Sequence, residues 1–474
     1  MALRVFVTIA AVAAAAASPA QAQVAELSQA EIAERVRAAV EQVIARPDAV
    51  GLSVAVARGD EIIVDAGFGK ADLEWNMPAD ENAVFRIGSV TKQFTAAAIM
   101  KLAEQGKLSL DDSLSGYVRE FDTGGRTVTI RQLLNHTSGV PSYTSQPEFM
   151  SKFAPRELSD EELLTIVAGV DFDFEPGEKW NYSNTGYYLL GMVAAKASGK
   201  PFGAFLRDEF FEPLGLSRTY YGADRAIVPH RAQGYEYHAG SREFANDEPI
   251  SMNVPGAAGA MWSTAGDLIR WQIALTEGRA VSPASYDEMI GSTAPTGQGD
   301  TRYGFGLMVS GEGEGLRITH GGGIPGFNST LSYLPAQGLR TAVISNSDGI
   351  PATVVEEQII AALTSQEPIA ASRSTPQPGA EDAVRKLITD VANGEPDYST
   401  MSDQLAGATR AQLPMLQQTF AGLGAIRSVT FSGVDLRGAD TYRVEMENGA
   451  LDFSIILDAD GKVAMANLRP VSTP

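Results

Sequence analysis

Apolar residues recur at helical spacing from Leu27 to Ala45 (Ile32, Val36, Ala39, Val40, Val43), and Ser28 stands ahead of them as an N-cap. Two β-rich runs follow, Leu52–Ala57 and Ile62–Ala66, with Arg58-Gly59-Asp60 between them as a hairpin turn. The pattern predicts a second helix over Ser89–Gln105, ended by Gly106. Helical and loop segments then alternate until strand signals return near Arg317–Thr319, Ser329–Tyr333 and Thr341–Ser345. Strands at both ends with helices between predict one antiparallel sheet built from both termini. That is an α+β arrangement, not a doubly wound parallel sheet.

Ser365–Glu381 has three prolines and no apolar period, and reads as a linker between a large domain (23–364) and a small one (382–474). The small domain shows helical patterns over Ala383–Ala392 and Leu413–Leu423, with Pro414 expected in the first turn of the second, where its missing N–H costs nothing. Three or four strands follow, over Ser428–Phe431, Tyr442–Met446, Leu451–Leu457 and Val463–Leu468. Asp458-Ala459-Asp460-Gly461 reads as a tight turn, since the remaining ligands of a calcium loop are missing. On pattern alone this α+β segment resembles cystatin-like or NTF2-like domains.

At the other end, Arg4 precedes an apolar run from Val5 to Ala17, and Ala20-Gln21-Ala22 supplies a small-x-small site. The run is shorter than the ~20 residues that span a bilayer. Residues 1–22 are therefore expected to be a cleavable signal peptide, cut after Ala22, which implies a periplasmic or secreted protein without a membrane anchor. The chain has no cysteine, which excludes disulfides, thiolate metal sites and cysteine nucleophiles. Its 37 basic and 58 acidic residues give a net charge of −21, which disfavours nucleic acid as a partner.

Several catalytic patterns are missing: G-x-S-x-G, H-E-x-x-H and G-x-x-x-x-G-K. Gly321, Gly323 and Gly326 match G-x-G-x-x-G, but the residues that follow read as a strand, whereas a dinucleotide motif opens a helix. Three other motifs remain. Ser89-Val90-Thr91-Lys92 puts a hydroxyl and an amine on one face of a helix start, where a desolvated lysine can act as base; the plainer reading is a cap and a surface lysine. Tyr182-Ser183-Asn184 offers a phenol for proton transfer and an amide for orienting a substrate, or else two capping residues. His320-Gly321-Gly322-Gly323 follows a strand-like segment, where glycines let a substrate backbone approach and a free N–H can face an oxyanion; it is otherwise a Gly-rich turn. Of the other histidines, His136 sits in the turn Asn135–Gly139 and reads as structural, while His230 and His238 have no assigned role.

In this order along the chain, Ser-x-x-Lys, Tyr-x-Asn and His-x-Gly resemble the serine β-lactamase and penicillin-recognising hydrolase family. The branch with class C β-lactamases, D-amino-acid peptidases and related esterases is the most similar. Phe85–Leu110, Thr129–Pro141 and Ala257–Trp271 carry further resemblance. It implies an antiparallel sheet flanked by helices, with an all-helical lobe and the site between them. It implies Ser89 as the acylated nucleophile, Lys92 as its activating base and Tyr182 as the proton-transfer partner. Asn184, His320 and Gly322 would bind substrate, and the backbone N–H groups of Ser89 and Gly323 would form the oxyanion hole. No metal or organic cofactor is implied. The third motif normally begins with lysine in class C β-lactamases, and His320 holds a carboxylate less firmly. That moves the expected substrate toward D-amino-acid peptides or small esters. The alternatives are a β-lactamase and a catalytically silent protein that binds peptidoglycan fragments.

Overall fold

The computed structural model describes residues 27–146, 149–222, 224–238, 243–364, 375–435 and 438–471. The signal-peptide expectation, and most of the predicted linker, lie outside these residues. Two compact units divide the chain: one runs to Glu236 and resumes over Ala245–Gln366, the other is Glu367–Pro474 together with Tyr237–Phe244.

The first unit is built on a nine-stranded antiparallel sheet. Its spatial order is Met77–Pro78, Glu61–Asp72, Gly51–Arg58, Leu339–Ser345, Phe327–Leu334, Arg317–Ile324, Met308–Ser310, Arg302–Tyr303 and Ala294–Pro295. The predicted closure of the two ends holds, with Leu52 opposite Ser345 and Arg58 opposite Leu339. Strand Gly51–Arg58 is buried on both faces because helices cover both. On one face the Ser53 hydroxyl accepts the Ala265 N–H at the start of helix Ala265–Thr276. On the other, Thr341, register partner of Val56, bonds Glu356 of helix Ala352–Thr364. The first helix, Gln29–Ile44, opens on a complete capping box between Ser28 and Glu31 and buries Ile32, Val36, Val40 and Val43, the predicted stripe.

Helix Thr91–Glu104 has no solvent face over most of its length: every residue from Thr91 to Met100 is buried. Phe94 stacks on Trp271 with ring centroids 3.9 Å apart and meets Phe211 edge-on. The helix thus lies between the sheet-backed helix Ala265–Thr276 and the helical part of the unit, which includes Asn184–Ser198 and Phe202–Leu206.

In the second unit, a four-stranded antiparallel sheet runs in chain order, Ile426–Val434, Asp440–Met446, Gly449–Leu457 and Val463–Val471. Helix Ala380–Ala392 buries Val384, Ile388 and Val391 in the same core as Val444, Phe453 and Ile455. The helix begins inside the predicted linker. The expectation for Pro414 is corrected: helix Asp403–Leu423 starts at the Ser402 cap, so the proline lies in its interior. A good cap and the buried Phe420 outweigh the hydrogen bond that proline withholds. The Asp458–Gly461 turn closes on the Asp458 carboxylate, which accepts the N–H groups of Asp460 and Lys462, as a hairpin requires.

Candidate active site

The chain leaves strand Phe85–Arg86, makes a single 3-10 turn over Gly88–Val90 and continues directly into helix Thr91–Glu104. Ser89 stands half-buried in that turn, one helical turn before Lys92. Gly88 takes φ +49°, and a β-carbon there would lie 2.9 Å from the Gly323 nitrogen. The Gly88 turn and strand Arg317–Ile324 therefore meet backbone to backbone, which places Gly323 beside the residue that precedes Ser89. The glycines are not the Gly-rich turn of the plainer reading but part of the strand itself. Gly321, Gly322 and Gly323 pair with Thr330, Ser329 and Asn328.

Lys92 is wholly buried, and its Nζ lies 3.1 Å from Ser89 Oγ, 2.8 Å from Asn184 Oδ1 and 2.7 Å from the Ala258 carbonyl oxygen. A hydroxyl, an amide and a carbonyl carry no charge to offset an ammonium, and burial drives the lysine well below its ordinary value. A neutral amine keeps two N–H donors for Asn184 and Ala258, and its lone pair then faces the Ser89 hydroxyl. This geometry lets the amine take the serine proton as the oxygen attacks a carbonyl.

The Tyr182 ring lies 4.8 Å from Lys92 Nζ. Burial raises the phenol above its ordinary value, and the nearby Ser89 hydroxyl only partly opposes this. Tyr182 is therefore a neutral phenol, able to give and receive a proton, and not a resting phenolate.

Asn184 begins helix Asn184–Ser198, capped by the Ser183 hydroxyl. Its Oδ1 faces Lys92, its Nδ2 donates to Thr144 Oγ1 at 2.9 Å and its backbone N–H donates to Ser142 Oγ at 3.1 Å. The amide expected to orient a substrate is thus engaged with the lysine. Ser142, Thr144 and Ala258 were not singled out in the sequence, since a backbone carbonyl and two loop hydroxyls leave no distinctive pattern.

His320 is buried, with Nε2 2.8 Å from the Tyr303 hydroxyl and Nδ1 2.6 Å from the Gly321 carbonyl. A carbonyl only accepts, so Nδ1 carries the proton and Nε2 accepts from Tyr303. Burial, with Lys92 nearby, pushes the imidazole down to about 3. His320 is neutral and both its nitrogens are engaged within the protein, so it presents no cation for a carboxylate. Tyr303 was another residue without a sequence signal.

His136 has moved from the margin to the centre. Its ring centroid lies 4.3 Å from that of Tyr182 and 4.5 Å from that of Tyr303. His230 remains on the surface near Asp80, and His238 lies on strand Tyr235–His238. Among the described residues, no group of three or more histidine, aspartate and glutamate side chains is arranged to hold a metal ion.

The model of the Beta-lactamase family matches residues 36–365. The chain is 31% identical over 295 residues to Penicillin-binding protein 4* of Bacillus subtilis (strain 168), covering 59% of this chain and 64% of that protein. It thus spans under two thirds of that relative's length. The D-amino acid amidase of Ochrobactrum anthropi SV3, solved in complex with L-phenylalanine amide, is similar with TM-score 0.62 and 28% identity over 71% of this chain and 98% of that one. The octameric penicillin-binding protein homologue of Pyrococcus abyssi shares the fold over 92% of this chain and 90% of its own, with TM-score 0.63 and 22% identity. With these matches and the antiparallel sheet flanked by helices, the chain belongs to the beta-lactamase family.

Proposed function

We propose that this chain is a serine hydrolase that acts through an acyl-enzyme on amide or ester carbonyls, with D-amino-acid peptides or small esters as substrates. The observation that carries the reading is the buried Lys92, 3.1 Å from the Ser89 hydroxyl and driven well below its ordinary value by burial. Ser89 Oγ bonds the carbonyl carbon while its proton passes to Lys92 Nζ. The oxyanion sits against the N–H groups of Ser89 and Gly323. The bond to the leaving group then breaks, and its nitrogen or oxygen takes a proton from Tyr182, whose oxygen takes one back from Lys92. Water repeats the sequence on the acyl-enzyme. Lys92 and Tyr182 titrate as a coupled pair, so the two proton transfers belong to both.

One observation favours a substrate without a free carboxylate at the third motif: His320 is neutral with both nitrogens occupied. We also read residues 1–22 as an export signal, which N-terminal sequencing of the protein from a periplasmic extract checks.

Intact-protein mass spectrometry after brief exposure to a penicillin, a D-amino-acid amide or a small ester, with Ser89→Ala alongside, tests the reading. An adduct or turnover in the wild type and neither in Ser89→Ala supports acylation at Ser89. Turnover of the penicillin in preference to the amide and ester supports a β-lactamase instead. Substantial turnover by Ser89→Ala overturns the mechanism, and no reaction with any of the three leaves the silent binding protein as the better account.

A further inference from the structure

The segment that carries Tyr182 is held from both sides by a single residue outside the three motifs. The Asn181 N–H donates to the His136 carbonyl at 3.0 Å, and the Ser183 N–H donates to His136 Nδ1 at 3.2 Å. Between these bonds the His136 ring lies against the Tyr182 ring, with centroids 4.3 Å apart. Three contacts therefore bracket one side chain: a main-chain bond before it, a side-chain bond after it and a ring on it.

His136 reaches both ends of the bracket because it adopts φ +61°. In that left-handed conformation its carbonyl and its imidazole can both face the Asn181–Ser183 segment, and histidine is among the side chains that enter this region. The turn beyond it continues the pairing. Gly177 donates to the Thr137 carbonyl at 2.7 Å, and Asp173 to that of Gly139 at 2.9 Å. Because Nδ1 accepts an N–H, the imidazole proton sits on Nε2. Tyr303 also packs against the ring, with centroids 4.5 Å apart, and its hydroxyl is tied to His320.

We propose that His136 is a positioning residue that holds the Tyr182 hydroxyl at the Ser89–Lys92 pair for proton delivery to the leaving group. The proposal rests on the serine hydrolase reading above. His136 transfers no proton itself; it fixes where the phenol stands, and a displacement of about 1 Å is enough to cost a large factor in rate.

The test compares two leaving groups in the full chain. A p-nitroanilide nitrogen needs a proton to depart, whereas p-nitrophenolate does not, so a misplaced Tyr182 penalises the first far more. His136→Gly accepts the left-handed backbone without strain and removes both the ring and the acceptor. We expect it to lower kcat on D-phenylalanine p-nitroanilide about 100-fold, against less than about 10-fold on p-nitrophenyl butyrate. KM on either substrate stays within about twofold. His136→Asn tolerates the same backbone and keeps an acceptor for the Ser183 N–H, and its anilide kcat stays within about fivefold of wild type. Equal losses on the two substrates in His136→Gly, or none, overturn the proposal. If His136→Gly does not fold, His136→Asn, which keeps the acceptor but lacks the ring, decides it: a loss of about two- to fivefold confined to the anilide supports the proposal, and equal losses or none overturn it. The wild type judges the underlying reading separately. If it cleaves neither substrate and a fluorophosphonate does not label Ser89, the hydrolase reading falls. If it cleaves both and the variants match it, that reading stands and the positioning role falls.

Discussion

A β-carbon on Gly322 would lie 2.0 Å from the carbonyl oxygen of Ile87, two residues before the candidate nucleophile. The same carbonyl accepts the Ser329 hydroxyl at 2.8 Å, and Ser329 is the register partner of Gly322. The strand that bears the His-x-Gly motif is thus seated on the turn that bears Ser-x-x-Lys, with no room for a side chain between them.

Gly322→Ala is therefore expected to push the strand and the Ser89 turn apart. Overpacking of this kind costs about 1–3 kcal/mol, because backbone cannot yield as a flexible side chain does. Urea denaturation should show the stability loss, and burst-phase acylation should show Ser89 reacting more slowly. An alanine variant of wild-type stability and rate would mean that the two segments are free to separate.

The burial of Lys92 has a cost in stability that depends on pH. Its folded value lies well below the 10.5 of an exposed lysine, so between those two values the unfolded chain binds a proton that the native state does not. Stability therefore rises with pH across that window, by about 1.4 kcal/mol per unit for one such group. Lys92→Met removes this contribution, and its denaturant midpoint should be flatter from neutral to alkaline pH than that of wild type. Its hydrolytic rate should fall by a factor of about 10²–10⁴, the usual worth of a positioned base. Parallel stability curves for the two proteins would show that Lys92 is protonated in the native state.

Asn184→Ala withdraws the amide oxygen 2.8 Å from Lys92 Nζ. An acceptor favours the charged amine, so its loss lowers the lysine further. The acid limb of kcat/KM belongs to the loss of the free base, and it should move to lower pH. The rate at the optimum should also fall, since Lys92 loses one of the partners that aim it at Ser89. A limb that stays in place would separate Asn184 from the titration of the base.

His320 is held down to about 3, with burial as the main cause. The activity profile should therefore have no inflection at the ordinary histidine value near 6.5 that His320→Gln removes. Stability behaves differently. The unfolded histidine takes up a proton below 6.5 and the native one does not, so wild type loses stability as pH falls from 6.5 toward 3. His320→Gln should lose less over the same range, read as the midpoint of urea unfolding at each pH. An activity step near 6.5 that disappears in this variant would show that His320 is protonated in the working enzyme.

Much of the frame was legible in the chain because short-range rules decide it. Helical spacing and the Ser28 cap marked Gln29–Ile44, and two β-rich runs with Gly59 between them marked the first hairpin. Those elements form where predicted since the residues that specify them are neighbours in sequence. Ser89 and Lys92 could be paired for the same reason, lying three residues apart at a helix start. Pro414 shows the limit of such rules: local propensity favours a helix start there, and packing around Phe420 carries the helix straight through.

Sequence alone determined which residues offer candidate chemistry: a serine with a lysine one turn away, a tyrosine with an asparagine, and a glycine run next to a strand. Tertiary structure decided what surrounds them. Lys92 is desolvated only because the fold closes over it and offers Asn184 and Ala258, distant in sequence, as uncharged partners. His320, expected to face a substrate, is instead tied to Tyr303, and His136, read only as a structural turn residue, lies against Tyr182. Burial, side-chain direction and desolvation depend on contacts between segments far apart in the chain, and no local pattern encodes them.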